Sequence, residues 1–289
     1  MTLIAVLVSL LLERVLDQLQ HLRRYERYHD YVVWIRERLR GDPWQGRVGV
    51  LVVLAAPLLA TALLQSGFED VLFGVLSLAF AIVVLLFCLG PRDLAVELGE
   101  YRAALTSDND ELAARLARGF LGSEVPEDSD AQARAMTHAV LVQANLRIFG
   151  VLFWFVMLGP LGAVLYRSVT ELRQHAAQTQ DEFSWAVGHF IDVLDWVPAR
   201  LAAFGYALSG DFEAAMLRWR SSTANQEHWG VPAEDVLIAA GTGALDLDDD
   251  SRDNLTWDHV LQSALSLVWR TLVLWVFVIA LLTLAGWAG

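Results

Sequence analysis

Apolar residues in this chain come in runs. Residues 48–64 are apolar almost without interruption, residues 71–89 repeat the pattern, and residues 148–166 and 267–287 do so again. A helix needs about 20 apolar residues to cross roughly 30 Å of hydrocarbon, so each run predicts a membrane segment. The chain also opens apolar, from Leu3 to Leu12. That run is too short to span alone, and it predicts the start of a longer helix, near 3–20 and reaching toward Arg40, partly embedded at its start. Glu13 and Arg14 follow it with no basic n-region before it and no small-residue cleavage site after it, so it reads as a retained segment.

The polar intervals are helical in pattern. Gly41 to Trp44, GDPW, breaks the first helix, and Gln65 to Asp70 is a short turn without a basic residue. Gly90 and Pro91 end the second full span. In residues 93–145, Leu94, Leu98 and Tyr101 recur at helical spacing, and Asp108 with Glu111 three residues on predicts a capping box for a second helix. An acidic, turn-rich loop at 122–130 then leads into a helix over 131–147, which runs into the next membrane segment. Residues 166–182 read as a polar helix, Pro198 as the first turn of a new one, and 211–220 and 231–245 as two more. The small residues Ala239, Ala240, Gly241, Gly243 and Ala244 predict close packing of the last. The acids of 246–253 alternate as in a calcium loop, but Ser251 stands where a glycine is needed and Trp257 where the bidentate Glu belongs, so this is a solvated loop. Residues 255–287 form a final long helix.

The segment at 145–167, NLRIFGVLFWFVMLGPLGAVLYR, carries its own interruption. Pro160 removes a backbone donor and Gly159 and Gly162 relax the helix, so the freed carbonyls need partners inside protein or in a watery cavity. A bend packed by neighbours is expected there, with leucine at Gly159 or Gly162 crowding it. Arg147 and Arg167 flank the segment, placed either to snorkel to headgroups or to hold an anion at the mouth of a site. The fold class is therefore all-α: a polytopic helical membrane protein with cytoplasmic helical segments and a broken or re-entrant membrane helix.

Composition narrows the function. With 55% hydrophobic residues and a mean hydropathy of +0.42, the 289-residue chain is an integral membrane protein with soluble parts. Its net charge of −13 argues against nucleic acid as a partner. All 21 basic residues are arginine, which excludes a P-loop lysine and a Schiff-base lysine. The single cysteine, Cys88, allows neither an internal disulfide nor a cysteine-based metal site. The seven histidines include no HExxH pair, and no G-x-S-x-G elbow occurs. No catalytic residue, metal site or resident cofactor is visible in local motifs.

Three blocks carry a family resemblance. FWFVMLGPLGAVLYR from Phe153, LDWVPARLAAFGYAL from Leu194 and VPAEDVLIAAGTGAL from Val231 resemble blocks of the cobalamin-biosynthesis membrane proteins CobD and CbiB. The layout is similar above all to the AmpE branch of that family: MTL at the start, Glu13-Arg14 after the first apolar run, Asn145 and Arg147 as Asn-x-Arg, and LDWVPARLA followed by YAL. The resemblance covers essentially the whole chain. It implies an inner-membrane modulator linked to β-lactamase induction, and hence to antibiotic resistance, or, as the alternative, an ATP-dependent amide-forming synthase or transferase using magnesium. Where the synthases place polar groups, this chain has His138, Val142, Gln143, Leu146, Ile191 and Ala233. An enzyme that binds ATP with a metal needs several acids together, so this erosion argues against synthase activity.

What the blocks bring forward as a ligand site is Asn145, Arg147, Tyr166, Arg167, Asp192, Asp195 and Arg200. An anionic small molecule or headgroup is the expected ligand and the lipid bilayer the expected partner, since guanidinium groups hold anions without a metal. The competing reading is ion pairing that locks the helices, Asp192 or Asp195 with Arg200. Arginines without nearby acids favour anion sensing; arginines with two or more close carboxylates favour an enzyme. Arg14, Arg23, Arg24, Arg27, Arg36, Arg38, Arg40 and Arg47 put the N-terminal region, and with it 93–145, on the cytoplasmic face of a bacterial inner membrane. Residues 167–266 are periplasmic if the broken segment spans and cytoplasmic if it folds back. Arg270 at the entry of the last span favours the fold-back.

Overall fold

The computed structural model describes residues 2–15, 26–38, 46–68, 74–89, 94–107, 109–122, 124–176, 181–224, 231–246 and 257–286. Among them every regular element is helical and no strand occurs. The expected GDPW break, the stop at Gly90 and Pro91, residues 247–253 of the acidic loop and Trp287 lie outside the described residues. In chain order the helices are α1 (Thr2–Val15), α2 (Glu26–Arg38), α3 (Arg47–Phe68), α4 (Val75–Cys88), α5 (Leu94–Thr106), α6 (Asp110–Leu121), α7 (Ser129–Ala144), α8 (Gly150–Leu158), α9 (Pro160–Ala176), α10 (Glu182–Ser209), α11 (Phe212–Thr223), α12 (Ala233–Ala244) and α13 (Trp257–Leu284). Among the described residues three stretches are long and apolar enough to cross a membrane: Arg47–Gly67, Asp130–Leu158 and Asp258–Leu284. Thr2–Leu12 and Val75–Cys88 are apolar but shorter.

The chain divides into two compact units, residues 1–91, 150–197 and 276–289 in the first and 92–149 and 198–275 in the second. At the centre of the first is α9, packed against α2, α3, α4 and α8. Residues 166–172 of α9 are buried without a gap, so this helix has no solvent face over two turns. Sequence pattern alone takes it for a polar helix. Its polar side chains are inside because they bond to one another and to neighbouring helices.

The break in the apolar segment is real, and its geometry is that of a hairpin. Gly159 adopts the left-handed conformation, φ 65°, its N–H bonding back to Phe155 at 2.8 Å, and Pro160 opens the next helix with its fixed φ. A Cβ on Gly150 would fall 2.3 Å from the Tyr166 ring, and one on Gly162 would fall 2.1 Å from the Trp154 carbonyl oxygen. Those two contacts pair 150 with 166 and 154 with 162. Only an antiparallel return about residue 158 gives that register. The apolar run at 148–166 is therefore split between the end of one long helical stretch and the start of α9. The bend itself is half-buried, and Met157 and Leu158 are exposed at its tip. Of the internal bend packed by neighbours that the sequence predicts, both arms are packed, at Phe155 on one side and Gly162 and Ala163 on the other, while the tip is open.

Pro198 does not open a helix; α10 runs through it. A proline inside a helix strands the carbonyl four residues back, here Leu194. The Trp154 indole N–H donates to that carbonyl at 3.1 Å, which is why the helix continues where a break was predicted.

In the second unit, α6 starts one residue later than the Asp108 capping box predicts. Asn109 is the cap, its side chain accepting from Leu112 N at 3.2 Å. Asp128 and Asp211 cap α7 and α11 in the same way, at 2.8 and 2.9 Å, so acids near these turns serve helix starts. The small residues of α12 admit close neighbours as expected: a Cβ on Gly241 would lie 2.5 Å from Leu141 and one on Gly243 2.6 Å from Ala215. The Arg102 guanidinium forks onto Asp258, joining α5 to α13, with its Nη2 donating at 2.9 Å.

Candidate functional site

The predicted residues fall in both units, and each unit builds its own cluster. In the first, Tyr166 and Arg167 follow each other on α9, and Asp195 comes from α10. The Tyr166 hydroxyl donates to Asp195 Oδ1 at 2.5 Å, with both groups buried. Gly150 makes this possible, because any side chain there would occupy the space of the Tyr166 ring. Arg167, 4% exposed, pairs with Glu171 one turn on, Nη2 to Oε1 at 2.5 Å. It neither snorkels nor stands at a mouth. Charge in so dry a place is tolerated only when matched, and Glu171 is 3% exposed. Asp192 lies one turn before Asp195 and is exposed.

Three residues that the sequence reading missed complete this cluster. Tyr28 of α2 donates to the Ser168 carbonyl at 3.2 Å. Burial pushes its hydroxyl well above the ordinary tyrosine range, with the neighbouring Tyr31 and Glu171 acting in the same direction and the Ser168 bond opposing them, so it remains a donor. His29 Nε2 lies 3.6 Å from the other Glu171 oxygen, Oε2, and the His29 ring stacks on His175 with centroids 5.4 Å apart. Glu171 was legible in principle, since Arg and Glu four residues apart on a helix face each other. Tyr28 and His29 gave no signal, lying far from α9 in sequence.

In the second unit Asn145 and Arg147 sit in a single π-turn, Asn145–Phe149, between α7 and α8. Such a turn widens the helix and re-aims its side chains. Arg147 Nη1 donates to Glu97 of α5 at 2.8 Å, its Nε to Gln143 Oε1 at 3.0 Å, and its guanidinium lies over the Phe120 ring, 5.7 Å from the centroid. Asn145 is buried. Arg200 is half-buried, with Nη2 3.4 Å from the Val231 carbonyl that precedes α12. Partial burial draws its guanidinium below the usual arginine value, though it stays charged at neutral pH. Both flanking arginines thus face a carboxylate, Glu97 or Glu171, and the acid-free arrangement that was to mark anion sensing is not what Arg147 and Arg167 show. Among the described residues no group of three or more His, Cys, Asp or Glu is disposed to hold a metal ion.

Long apolar helices, a folded-back hairpin and the buried Arg167–Glu171 pair define a helical membrane protein. The chain belongs to the AmpE family: residues 1–288 match the family described as regulatory signalling modulator protein AmpE. It is similar to the cobalamin biosynthesis protein CobD of Chromobacterium violaceum, 32% identical over 219 residues, covering 74% of this chain and 65% of that one. It is also similar to CobD of Stutzerimonas stutzeri, at 29% identity over 71% of this chain and 72% of the relative. Protein AmpE of Shigella flexneri matches at 27% identity over 77% of this chain and 79% of its own. This chain therefore spans just under two thirds of the length of the Chromobacterium relative. No solved structure matches it.

Proposed function

We propose that this protein is a multi-pass modulator of the bacterial inner membrane that acts in β-lactamase induction and through it in antibiotic resistance. The observation that carries the reading is the family match across 1–288, to a regulatory signalling modulator. An anionic small molecule or a lipid headgroup is the ligand. It meets Arg200, which is half-buried beside the start of α12; at Arg147 or Arg167 it would first have to displace Glu97 or Glu171. Tyr166 and Asp195 support the same function by joining α9 to α10. Arg200→Ala is expected to weaken β-lactamase induction after β-lactam challenge while the purified protein keeps its thermal unfolding temperature. Loss of folding in that variant, or full induction, counts against the role given to Arg200.

The alternative is the amide-forming synthase with ATP and magnesium. In its favour, Glu171 and Asp195 put two buried carboxylates around the consecutive residues Tyr166 and Arg167. Against it, each carboxylate is already engaged by a partner in the same cluster. Purified protein that consumed ATP while joining an amine to a corrinoid carboxylate would overturn the modulator reading.

In this reading residues 167–266 lie in the cytoplasm with the arginine-rich N-terminal region, and the hairpin at Gly159 supports it. Ser222→Cys is expected to resist a membrane-impermeant maleimide in intact cells and to react after lysis; the native Cys88 is buried and does not interfere. Labelling from outside would put the segment in the periplasm.

A further inference from the structure

His29 stands at an unusual place in the first unit. It projects from α2 onto α9, where its Nε2 faces Glu171 Oε2 at 3.6 Å. That nitrogen is buried and forms no hydrogen bond among the described residues, while 37% of the side chain is exposed. The imidazole therefore has access to bulk protons at one edge and a carboxylate at the other. The two Glu171 oxygens face different partners: Oε1 takes Arg167 Nη2 at 2.5 Å, and Oε2 is turned to His29. The other groups around His29 are His175, stacked on its ring from α9, and Tyr28 and Tyr31 on α2 itself, which bond to the Ser168 and Val53 carbonyls. From α3, which carries Val53, the only titratable side chain is Arg47 at its start.

We infer that His29 and Glu171 form a proton-operated clamp between α2 and α9. With the imidazole neutral, 3.6 Å is too long for a hydrogen bond, and the Tyr28 bond to the Ser168 carbonyl is the polar link beside it. Addition of one proton to the ring makes both nitrogens donors and places a positive charge against the Glu171 carboxylate. The contact then closes to a charge-assisted N–H to Oε2 bond, the strong kind, and the carboxylate bridges Arg167 within α9 to His29 on α2. An imidazole side chain is the kind that changes charge between about pH 5 and 8; the clamp closes when the ring takes up its proton and opens when the proton leaves. Stability gained by protonation is present at low pH and lost as pH rises. This holds whatever signal the protein carries.

Hydrogen exchange of the purified protein in detergent tests it, read as protection factors over α2 (Glu26–Arg38) so that the intrinsic pH dependence of exchange divides out. Protection at pH 6 is expected to exceed that at pH 8 on the order of tenfold, the effect of one hydrogen bond to a charged group. His29→Gln should remove that difference and His175→Gln should keep it. Because Glu171→Gln also disturbs Arg167, the paired replacement Arg167→Met with Glu171→Leu supplies the variant in which His29 faces no carboxylate, and it too should show no difference. Equal protection at the two pH values in the unaltered protein overturns the clamp, as does a pH response that survives His29→Gln or vanishes with His175→Gln.

Discussion

Gly162→Leu is expected to yield no monodisperse folded protein in detergent, whereas Gly159→Ala should fold with a modest loss of thermal stability. The two glycines bracket the same proline, but they are needed for different reasons. A Cβ at 162 meets the Trp154 carbonyl at 2.1 Å and Leu158 Cβ at 2.8 Å. The first is backbone of a packed helix and has nowhere to go, so overpacking costs more than the roughly 1–3 kcal/mol that flexible surroundings allow. At 159 nothing lies within 4 Å of the built Cβ, and the cost is the left-handed backbone alone, about 1–2 kcal/mol for a residue with a side chain. Gly150→Ala should fall between them. Its clash is with the Tyr166 ring at 2.3 Å, and relieving it means moving a hydroxyl bound to Asp195. Thermal unfolding and size exclusion of the three variants would give the order. A Gly162→Leu protein as stable as its parent would mean that α8 and α9 do not close on each other as described.

How much of this was legible in the sequence depends on which physical signal carried it. Membrane runs are long-range averages of apolarity, and those at Arg47–Gly67 and Asp258–Leu284 stand where the pattern put them. The kink was legible from Gly159 and Pro160 because it is a backbone property. Its outcome, a hairpin in place of a crossing, was not fixed locally: it depends on Gly150 admitting the Tyr166 ring and Gly162 the Trp154 carbonyl from the other arm. Pro198 misled for a related reason. The residue that repairs it, Trp154, is 40 positions away. The site divides in the same way. Tyr166, Arg167 and Asp195 came from the blocks that resemble the family and are buried together in the first unit, but the partners that decide what the arginines can do, Glu97 for Arg147 and Glu171 for Arg167, lay in stretches read as polar helix. A polar helix pattern says surface in water. In a protein whose outside is lipid, α9 shows that it can equally be the core.

The second large effect concerns the charges of that core. Glu171→Ala is expected to lower stability by about 3–5 kcal/mol, and Arg167→Ala by a similar amount, because each leaves a buried charge without its counterpart. Both side chains are 5% exposed or less, so water cannot take over. Replacing both, Arg167→Met with Glu171→Leu, should restore much of the loss, since a buried pair returns little net energy over well-packed apolar residues of similar volume. Glu97→Ala should cost less than Glu171→Ala, its partner Arg147 and itself being 13% and 20% exposed and thus partly solvated. Thermal unfolding of the two singles and the double in one detergent gives the coupling directly. A double variant as unstable as the sum of the singles would mean that the two residues act through other partners, with His29 and Thr170 the nearest candidates. If the double folds as expected, it also separates structure from signalling: the same protein, intact but without its core charges, either still supports β-lactamase induction, which would make the pair purely architectural, or fails to, which would make the charges the part that responds.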